Sequence, residues 1–203
     1  MKYLLLLSLF LFGATAYSIE LKTGDILLQP LNCRLCDLIE AEEQTIYSHI
    51  GLVVMVDNTP YVLEAFFGSV KMVTYAEFNK KTQRLQKLRV LRFADEPRAR
   101  FLAAKTAEIV KVFKAKYEGL YYDSDFRWDN YDDKGREKLY CSELMVKLLN
   151  DFIVWDYPIK RMHFSRRPDD WDKHFKNNTP RDEWGNSPGD FERSAEFNHL
   201  GDI

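Results

Sequence analysis

The residue best placed for nucleophilic chemistry in this sequence is a cysteine at the start of a predicted helix. The segment EKLYCSELMVKLL, residues 137–149, has the apolar spacing of an amphipathic helix with Cys141 in its first turn. A first turn carries unpaired N–H groups and the positive end of the helix dipole, which lower the pKa of a thiol and can face an oxyanion. Because Cys141 shares one helical face with Leu144 and Leu148, a buried core thiol is the alternative interpretation.

A catalytic thiol needs a base within hydrogen-bond reach, and His49 is the best candidate among the four histidines. The other three lie in or next to the polar C-terminal third, whereas His49 begins the apolar run HIGLVVMV. Glu64 lies within a second apolar run, YVLEAFF, where a buried carboxylate needs a partner. We therefore predict a relay in which Glu64 orients His49 and stabilises its charged form.

The spacing of these two residues permits the relay without requiring it. The two apolar runs flank the turn signal DNTP and predict a β-hairpin. A hairpin centred on Asn58-Thr59 pairs Glu64 with Val53, four residues from His49. A β-bulge, a shifted turn or a strong twist is then expected to bring the two side chains together.

The elements that must position these residues are strands first and helices later, an α+β layout. Strands are predicted at residues 19–29, 48–56, 61–67, 68–75 and 88–93. A short helix is predicted at 33–46, a long helix from the cap Asp95 to about Glu118, and the cysteine helix at 141–150. Residues 120–136 are predicted as a loop, and beyond about 160 the periodic pattern decays.

The N-terminus has the pattern of a secretory signal peptide. Lys2 precedes the apolar run 3–12, and the small residues 13–16 follow. The run is shorter than the roughly 20 apolar residues that span a bilayer. We therefore expect cleavage after Ala16, export to the periplasm or the cell exterior, and no stable membrane anchor.

Length and charge bound the class of protein. The chain has 203 residues and a formal net charge of −2, so no basic surface argues for a nucleic-acid partner. We expect a signal peptide at 1–16, one catalytic domain at 17–160, and a C-terminal extension at 161–203 that packs on or near it. The sequence does not indicate an oligomeric state.

The cysteine count is odd, which leaves one thiol over if the others pair. Cys33 and Cys36 are close enough for a local disulfide, which export would favour. A thioredoxin-like redox motif requires a βαβ context that the pattern does not show, and a zinc site requires a second pair of ligands. A Cys33–Cys36 bridge or two buried thiols are therefore the favoured interpretations, with Cys141 free.

Five motifs together resemble a known family. TGDILLQ, YSHIGLVV, YVLEA, YEGLYYDSDF and LYCSEL occur in an order and spacing similar to the YiiX-like branch of the NlpC-type cysteine peptidases. The resemblance covers residues 20–155 and implies a circularly permuted papain-like fold, with an antiparallel sheet or small barrel against the nucleophile helix and a second long helix. It implies Cys141 as nucleophile, His49 as base and Glu64 as the orienting acid.

The resemblance also extends to candidate substrate contacts. The matching stretch YYDSDF places Tyr122 and Asp123 at the entrance of the site, although an ordinary half-buried tyrosine fits the pattern as well. Ser48, which precedes the histidine, is a third candidate contact.

The activity implied is an exported cysteine hydrolase that works through a thioester and needs no metal or cofactor. The family points to a peptidoglycan-derived peptide as substrate. One alternative keeps the triad but acts on lipid acyl groups, as lecithin–retinol-acyltransferase-like enzymes do. An apolar channel beside Cys141 would favour the acyl substrate, and polar groups that grip an amine and carboxylates would favour the peptide. A second alternative is a non-enzymatic binding module, with residues 165–203 folded over the site.

Overall fold

The computed structural model describes residues 19–203, which form an α+β fold around one large sheet. The strands are β1 (Ile26–Gln29), β2 (His49–Val56), β3 (Thr59–Phe66), β4 (Ser69–Thr74), β5 (Arg89–Phe93), β6 (Tyr121–Tyr122), β7 (Asn130–Tyr131), β8 (Glu137–Leu139), β9 (Lys160–Met162), β10 (Glu183–Gly185) and β11 (Phe197–Asp202). Nine of them form a sheet in the order β11-β5-β1-β2-β3-β4-β6-β8-β7, and β9 pairs with β10. The predicted signal peptide, residues 1–16, lies outside the described residues.

The helices are α1 (Arg34–Glu43), α2 (Tyr75–Asn79), α3 (Glu96–Ala104), α4 (Thr106–Lys116), α5 (Cys141–Asn150), α6 (Pro168–His174) and α7 (Pro188–Arg193). Helix α5 packs on β2 and β3, and its apolar face enters the main core. The expected α+β fold, with the cysteine helix against a largely antiparallel sheet, is confirmed. None of the helices at residues 19–203 is long and apolar enough to cross a bilayer.

The single long helix predicted from Asp95 to Glu118 is wrong, because the chain breaks it at Lys105. Asp95 does cap the first part, accepting the Arg98 N–H at 2.9 Å. At the break, the Thr106 hydroxyl bonds the Thr23 hydroxyl at 2.6 Å. This contact between residues distant in sequence ties the break to the segment before β1, and helical periodicity carries no signal of it.

The β2–β3 turn lies one residue earlier than predicted. Asp57 and Asn58 both have positive φ, 48° and 59°, the requirement of a two-residue type I′ hairpin. Leu52 therefore pairs with Leu63, and the same register carried one residue further sets Gly51 rather than Val53 opposite Glu64. No bulge is needed on this hairpin, since the shifted turn closes most of the gap to His49.

Two segments hold more regular structure than their composition indicates. The predicted loop at 120–136 contributes the short strands β6 and β7 to the main sheet. Within 161–203, β11 pairs with β5 and forms the sheet edge, so this segment belongs to the same sheet as the site. Scattered aromatic residues anchor it: Phe164, Trp171 and Phe191 are each at most 2% exposed.

Candidate active site

His49 and Glu64 lie side by side, buried within the sheet. His49 Nε2 is 2.7 Å from Glu64 Oε2, and the two side chains are 3% and 0% exposed. Because an ionised carboxylate only accepts hydrogen bonds, Nε2 carries the proton of this bond and Nδ1 remains as the basic nitrogen. Burial lowers the pKa of His49, and the hydrogen bond and charge of Glu64 offset this only in part. His49 therefore rests as a neutral imidazole.

Glu64 is an ion in an apolar wall, and Lys81 is its counter-ion. Lys81 Nζ lies 2.6 Å from Glu64 Oε1 and 2.5 Å from Oε2. Burial by itself raises the pKa of Glu64, but the hydrogen bond from His49 and the charge of Lys81 together lower it below its usual value. The carboxylate is thus held in the ionised form that orients the histidine.

Two phenylalanine rings enclose this ion pair and the imidazole. The ring centroids of Phe66 and Phe78 lie 4.9 and 5.5 Å from that of His49. Lys81 Nζ lies 4.0 and 5.0 Å from the same two centroids, within cation–π range. The enclosure leaves the imidazole little freedom to turn away from Glu64.

Cys141 opens α5, the position that the sequence predicts. Its thiol is free and the residue is 6% exposed. Burial raises the pKa of the thiol to about 12, while the backbone N–H groups of Ser142, Ile50 and Cys141 itself act in the opposite direction. Ile50 follows His49 in the chain, so the thiol lies against the backbone of the histidine strand. No side chain caps the start of α5, which leaves its N–H groups able to face an oxyanion.

The candidate substrate contacts have different surroundings. Tyr122 adjoins the nucleophile: burial raises the pKa of its phenol, and negative charge on Cys141 raises it further. The Asp123 carboxylate instead accepts hydrogen bonds within its own loop, from Asp125 N at 3.0 Å, Arg127 N at 2.9 Å and Asn130 Nδ2 at 2.9 Å. In this arrangement Asp123 organises the wall that carries Tyr122.

Ser48 connects the histidine strand to α1 through its hydroxyl. Ser48 Oγ donates to Glu40 Oε1 at 2.8 Å and accepts the Leu31 N–H at 3.2 Å. The Ser48 hydroxyl therefore already has one donor and one acceptor within the protein. Ser48 nevertheless lines a small cleft beside His49, described below.

A narrow, mainly apolar cavity opens on Cys141. Its space is about 460 Å³ when the open mouth is included, and the enclosed interior is much smaller. Its aromatic and aliphatic lining comes from three parts of the chain: α1, the 122–142 region and the C-terminal segment. The apolar side chains are Ile39, Tyr122, Phe126, Tyr140, Met162, Phe164, Trp171 and Pro188. The C-terminal segment thus builds a wall of the cavity beside the thiol.

A second, smaller cleft of about 280 Å³ reaches His49. Cys33 and Cys36 lie in its wall, their sulfur atoms at the bonding distance of 2.17 Å. Ile39 and Tyr122 line both this cleft and the cavity at Cys141. These two side chains therefore stand between the spaces that reach the base and the nucleophile.

The sequence did not single out Lys81, and it allowed residues 165–203 to fold over the site without identifying the cavity that they line. Lys81 belongs to the polar run KKTQR that follows α2, and the composition of this run is that of an exposed turn. Phe164 and Trp171 lie in the segment where periodicity is lost. Their signal is the presence of large aromatic residues within an otherwise polar stretch, which indicates packing without naming a partner.

Taken together, a thiol at a helix start packed on an antiparallel sheet that carries a histidine defines a papain-like protein in permuted order, since the histidine precedes the cysteine. The model of the family described as "permuted papain-like amidase enzyme, YaeF/YiiX, C92 family" matches residues 20–191. The chain belongs to this family. The expected relation to YiiX-like proteins is confirmed, and the family supports a cysteine peptidase or amidase as the kind of protein.

Relatives agree with this assignment. The uncharacterized protein YiiX of Escherichia coli (strain K12) is 30% identical over 145 residues, which cover 71% of this chain and 65% of that relative's length. A crystal structure described as metalloprotein yiiX from Escherichia coli O157:H7 has a TM-score of 0.75 at 22% identity. It covers 90% of this chain and 97% of its own, and it shows the common fold.

Proposed function

We propose that this protein is a thiol-dependent hydrolase of amides or esters whose acyl part is apolar. The observation that carries the proposal is the apolar cavity that opens on Cys141. An acyl chain in this cavity would bring its carbonyl carbon to the thiol at the start of α5. Burial of apolar chain surface would contribute binding free energy of roughly 0.8 kcal/mol for each methylene group.

The chemistry uses the three residues already described. His49 Nδ1 takes the thiol proton as the Cys141 sulfur attacks the carbonyl carbon. Backbone N–H groups of Cys141 and Ser142 stabilise the oxyanion. The tetrahedral intermediate collapses to a thioester while His49 passes the proton to the leaving amine or alcohol. Water, activated by His49, then attacks the thioester and releases the acid and the thiol.

Two polar atoms of the cavity wall favour a substrate that carries an amide group over a purely hydrocarbon ligand. Asn186 Oδ1 and Trp171 Nε1 are buried and make no hydrogen bond to the described residues. An acceptor and a donor left unpaired in one wall are costly unless a ligand or water satisfies them. A substrate amide supplies the complementary donor and acceptor, in keeping with the name of the family.

The peptidoglycan peptide expected from the family resemblance is the second candidate, and the family description as amidases favours it. The charges at the cavity act against it. Glu42 and Glu43 line the cavity, and Lys160 and Arg193 are engaged with Glu43, with Lys160 Nζ 2.7 Å from Oε2. A peptide rich in carboxylates would meet acidic side chains whose neighbouring cations already have partners.

A metal does not fit the acidic cluster of this chain, although the similar solved protein is described as a metalloprotein. Across residues 19–203, one group of three candidate ligands lies close together: Asp129, Glu137 and Glu143. Lys147 Nζ lies 2.7, 2.5 and 2.8 Å from their oxygens. The ammonium group occupies the position that a cation would take, and no step of the proposed reaction passes through a metal.

Export remains a proposal that rests on residues 1–16. Expression in a bacterium with a periplasm, followed by N-terminal sequencing of the recovered protein, tests it. Export through signal cleavage gives Tyr17 as the first residue. An intact Met1 in the cytosolic fraction would refute it.

The substrate test compares two series under non-reducing conditions. One series contains N-acyl amides and p-nitrophenyl esters with acyl chains from four to sixteen carbons; the other is a muropeptide mixture followed by mass spectrometry. We expect turnover of acyl substrates that increases with chain length, absent in Cys141→Ala. Turnover of muropeptides alone would replace the acyl proposal with the peptidase. Turnover of neither series by a folded protein would favour the binding module.

A further inference from the structure

We propose that Lys81 is a positioning residue of the site. It holds Glu64 ionised inside an apolar wall, and its own positive charge opposes protonation of His49, so that Nδ1 stays free to take the Cys141 proton. The inference rests on the proposed function only for its catalytic consequence. Its structural claim, the charge control of a buried histidine, can be tested without any substrate.

The contacts of Lys81 are those of a dedicated partner and not of a surface lysine. Both oxygens of Glu64 accept from Lys81 Nζ, at 2.6 and 2.5 Å, and Glu64 Oε2 also faces His49 Nε2. The Lys81 side chain is 22% exposed, while Glu64 is fully buried. One carboxylate oxygen therefore links the ammonium group directly to the imidazole.

The rings of Phe66 and Phe78 restrict the position of the Lys81 ammonium group. Phe66 and Phe78 flank both the Lys81 ammonium and the His49 ring. Phe78 belongs to α2, which ends at Asn79, and the Lys81 N–H bonds back to Phe78 O at 3.2 Å. The helix therefore delivers an aromatic ring and a cation to the histidine as one unit.

Other charged and titratable groups surround His49, and none of those at residues 19–203 bonds both oxygens of Glu64 as Lys81 does. Those that face it or its partners are Glu64 on β3, Lys71 on β4, Glu77 on α2, Tyr122 on β6 and Cys141 on α5. Lys71 pairs with Glu64 in the strand register, yet its side chain reaches the Phe66 ring, 5.5 Å from the centroid. The Glu77 carboxylate caps α2 through Thr74.

Loss of the Lys81 charge has one direction of effect on the His49–Glu64 pair. A neighbouring positive charge disfavours any proton bound by the pair, whichever of the two residues holds it. Without Lys81, the pair would keep its titrating proton, the one beyond the Nε2 proton of the neutral ring, up to a higher pH. Either the His49 imidazole would then be protonated, or Glu64 would be protonated and hydrogen-bonded to it. In the wild type at the same pH, His49 is a free base.

The experiment is a pH titration of the histidine ring ¹⁵N signals in Lys81→Met, Lys81→Arg and the wild type. We expect the midpoint of His49 to rise by about one pH unit in Lys81→Met and to stay at the wild-type value in Lys81→Arg. Lys80→Met, the same change at the exposed neighbouring residue, is the matched control and should leave the midpoint unchanged. His163, His174 and His199 serve as internal references in every spectrum.

An equal His49 midpoint in Lys81→Met and the wild type would overturn the proposal, because a merely structural ion pair would not control the proton. Lys81→Gln replaces Lys81→Met if the latter does not fold. If neither neutral variant folds while Lys81→Arg does, the side chain serves folding alone and the proposal is equally overturned. Failure to find a substrate leaves these outcomes unaffected.

Discussion

His49 and Glu64 form a 2.7 Å hydrogen bond although they are not opposite each other in the hairpin. The register sets Gly51 against Glu64, two residues from His49 and on the same face of the strand. Diagonal neighbours of this kind lie about 7–8 Å apart at their Cα atoms, within reach of two long side chains. A glycine at the intervening position keeps the space between the strands free for Phe78.

Gly51→Ala is expected to destabilise the fold by about 1–3 kcal/mol. A Cβ at this position would lie 2.4 Å from Val62 Cγ1 and 3.0 Å from Phe78 Cε2, so the ring beside His49 must move. Urea unfolding measures the cost. Gly119→Ala is the control, since nothing lies within 4 Å of its Cβ and only its positive φ opposes the change. A cost for Gly51→Ala well below about 1 kcal/mol would contradict the packing argument.

Cys141 should react slowly with iodoacetamide at pH 8. Burial raises the pKa of the thiol to about 12, so the attacking thiolate is scarce at this pH. Mass spectrometry counts one alkylation, because Cys33 and Cys36 are joined. Protein unfolded in urea provides the control and should react at the rate of an ordinary cysteine. A folded protein that reacts as fast as the unfolded one would show a thiolate at rest.

Glu64→Gln should lower kcat/KM by about 10²- to 10⁴-fold, because the histidine loses the charge that stabilises its imidazolium. The change also leaves Lys81 largely buried without an acid, at a cost of about 2–3 kcal/mol, below the range for a fully buried pair. The double variant Glu64→Gln/Lys81→Met should recover part of this stability. Stability that falls additively in the double variant would show that the two residues are not coupled.

The sequence predicts the catalytic residues of this site better than the turn and the contacts that bring them together. Cys141, His49 and Glu64 stand out because a thiol at a helix start and two polar residues in apolar strands conflict with simple burial. The type I′ turn depends on the φ values at Asp57 and Asn58. The composition of this segment is compatible with several turn types and does not fix those values. Lys81 was not identifiable, since its burial comes from Phe66 and Phe78, which approach it from other elements.

The same limit explains the C-terminal segment. β11 is the polar strand FNHLGD, and its place beside β5 follows from a pairing between residues far apart in the chain. Arg89 supports this pairing through Asp202, with Nε 2.8 Å from Oδ1. Neither local propensity nor period-2 alternation marks such an edge strand, because one side of it faces solvent.

Ile39→Phe should narrow the space between the two clefts and select against long acyl chains. Ile39 lines both the cavity at Cys141 and the cleft at His49, so a larger ring would fill the passage beside Tyr122. We expect KM to rise at least several-fold for long-chain substrates and to change little for four-carbon ones. Ile46→Phe is the matched control on an exposed residue and should leave both KM values unchanged. An equal rise for every chain length would place the acyl chain elsewhere.

Stability should fall as the pH drops below about 6.5, the pKa of an unperturbed histidine. Burial lowers the pKa of His49 in the folded protein, so between the unfolded and folded values the unfolded chain binds the extra proton. Stability therefore rises with pH through this window and is complete above it. Glu64 adds to the loss at lower pH, because its pKa is also below the usual value in the folded state.

Urea unfolding at pH 5.0 and 7.5 measures the difference, and His49→Gln should reduce it, because the variant keeps a donor for Glu64 but has no proton to gain. His163→Gln is the control, since that ring is 64% exposed and lies outside the site. An unchanged pH dependence in His49→Gln would mean that His49 has the same proton affinity in both states. That result would contradict the neutral buried imidazole on which the proposed proton transfer from Cys141 depends.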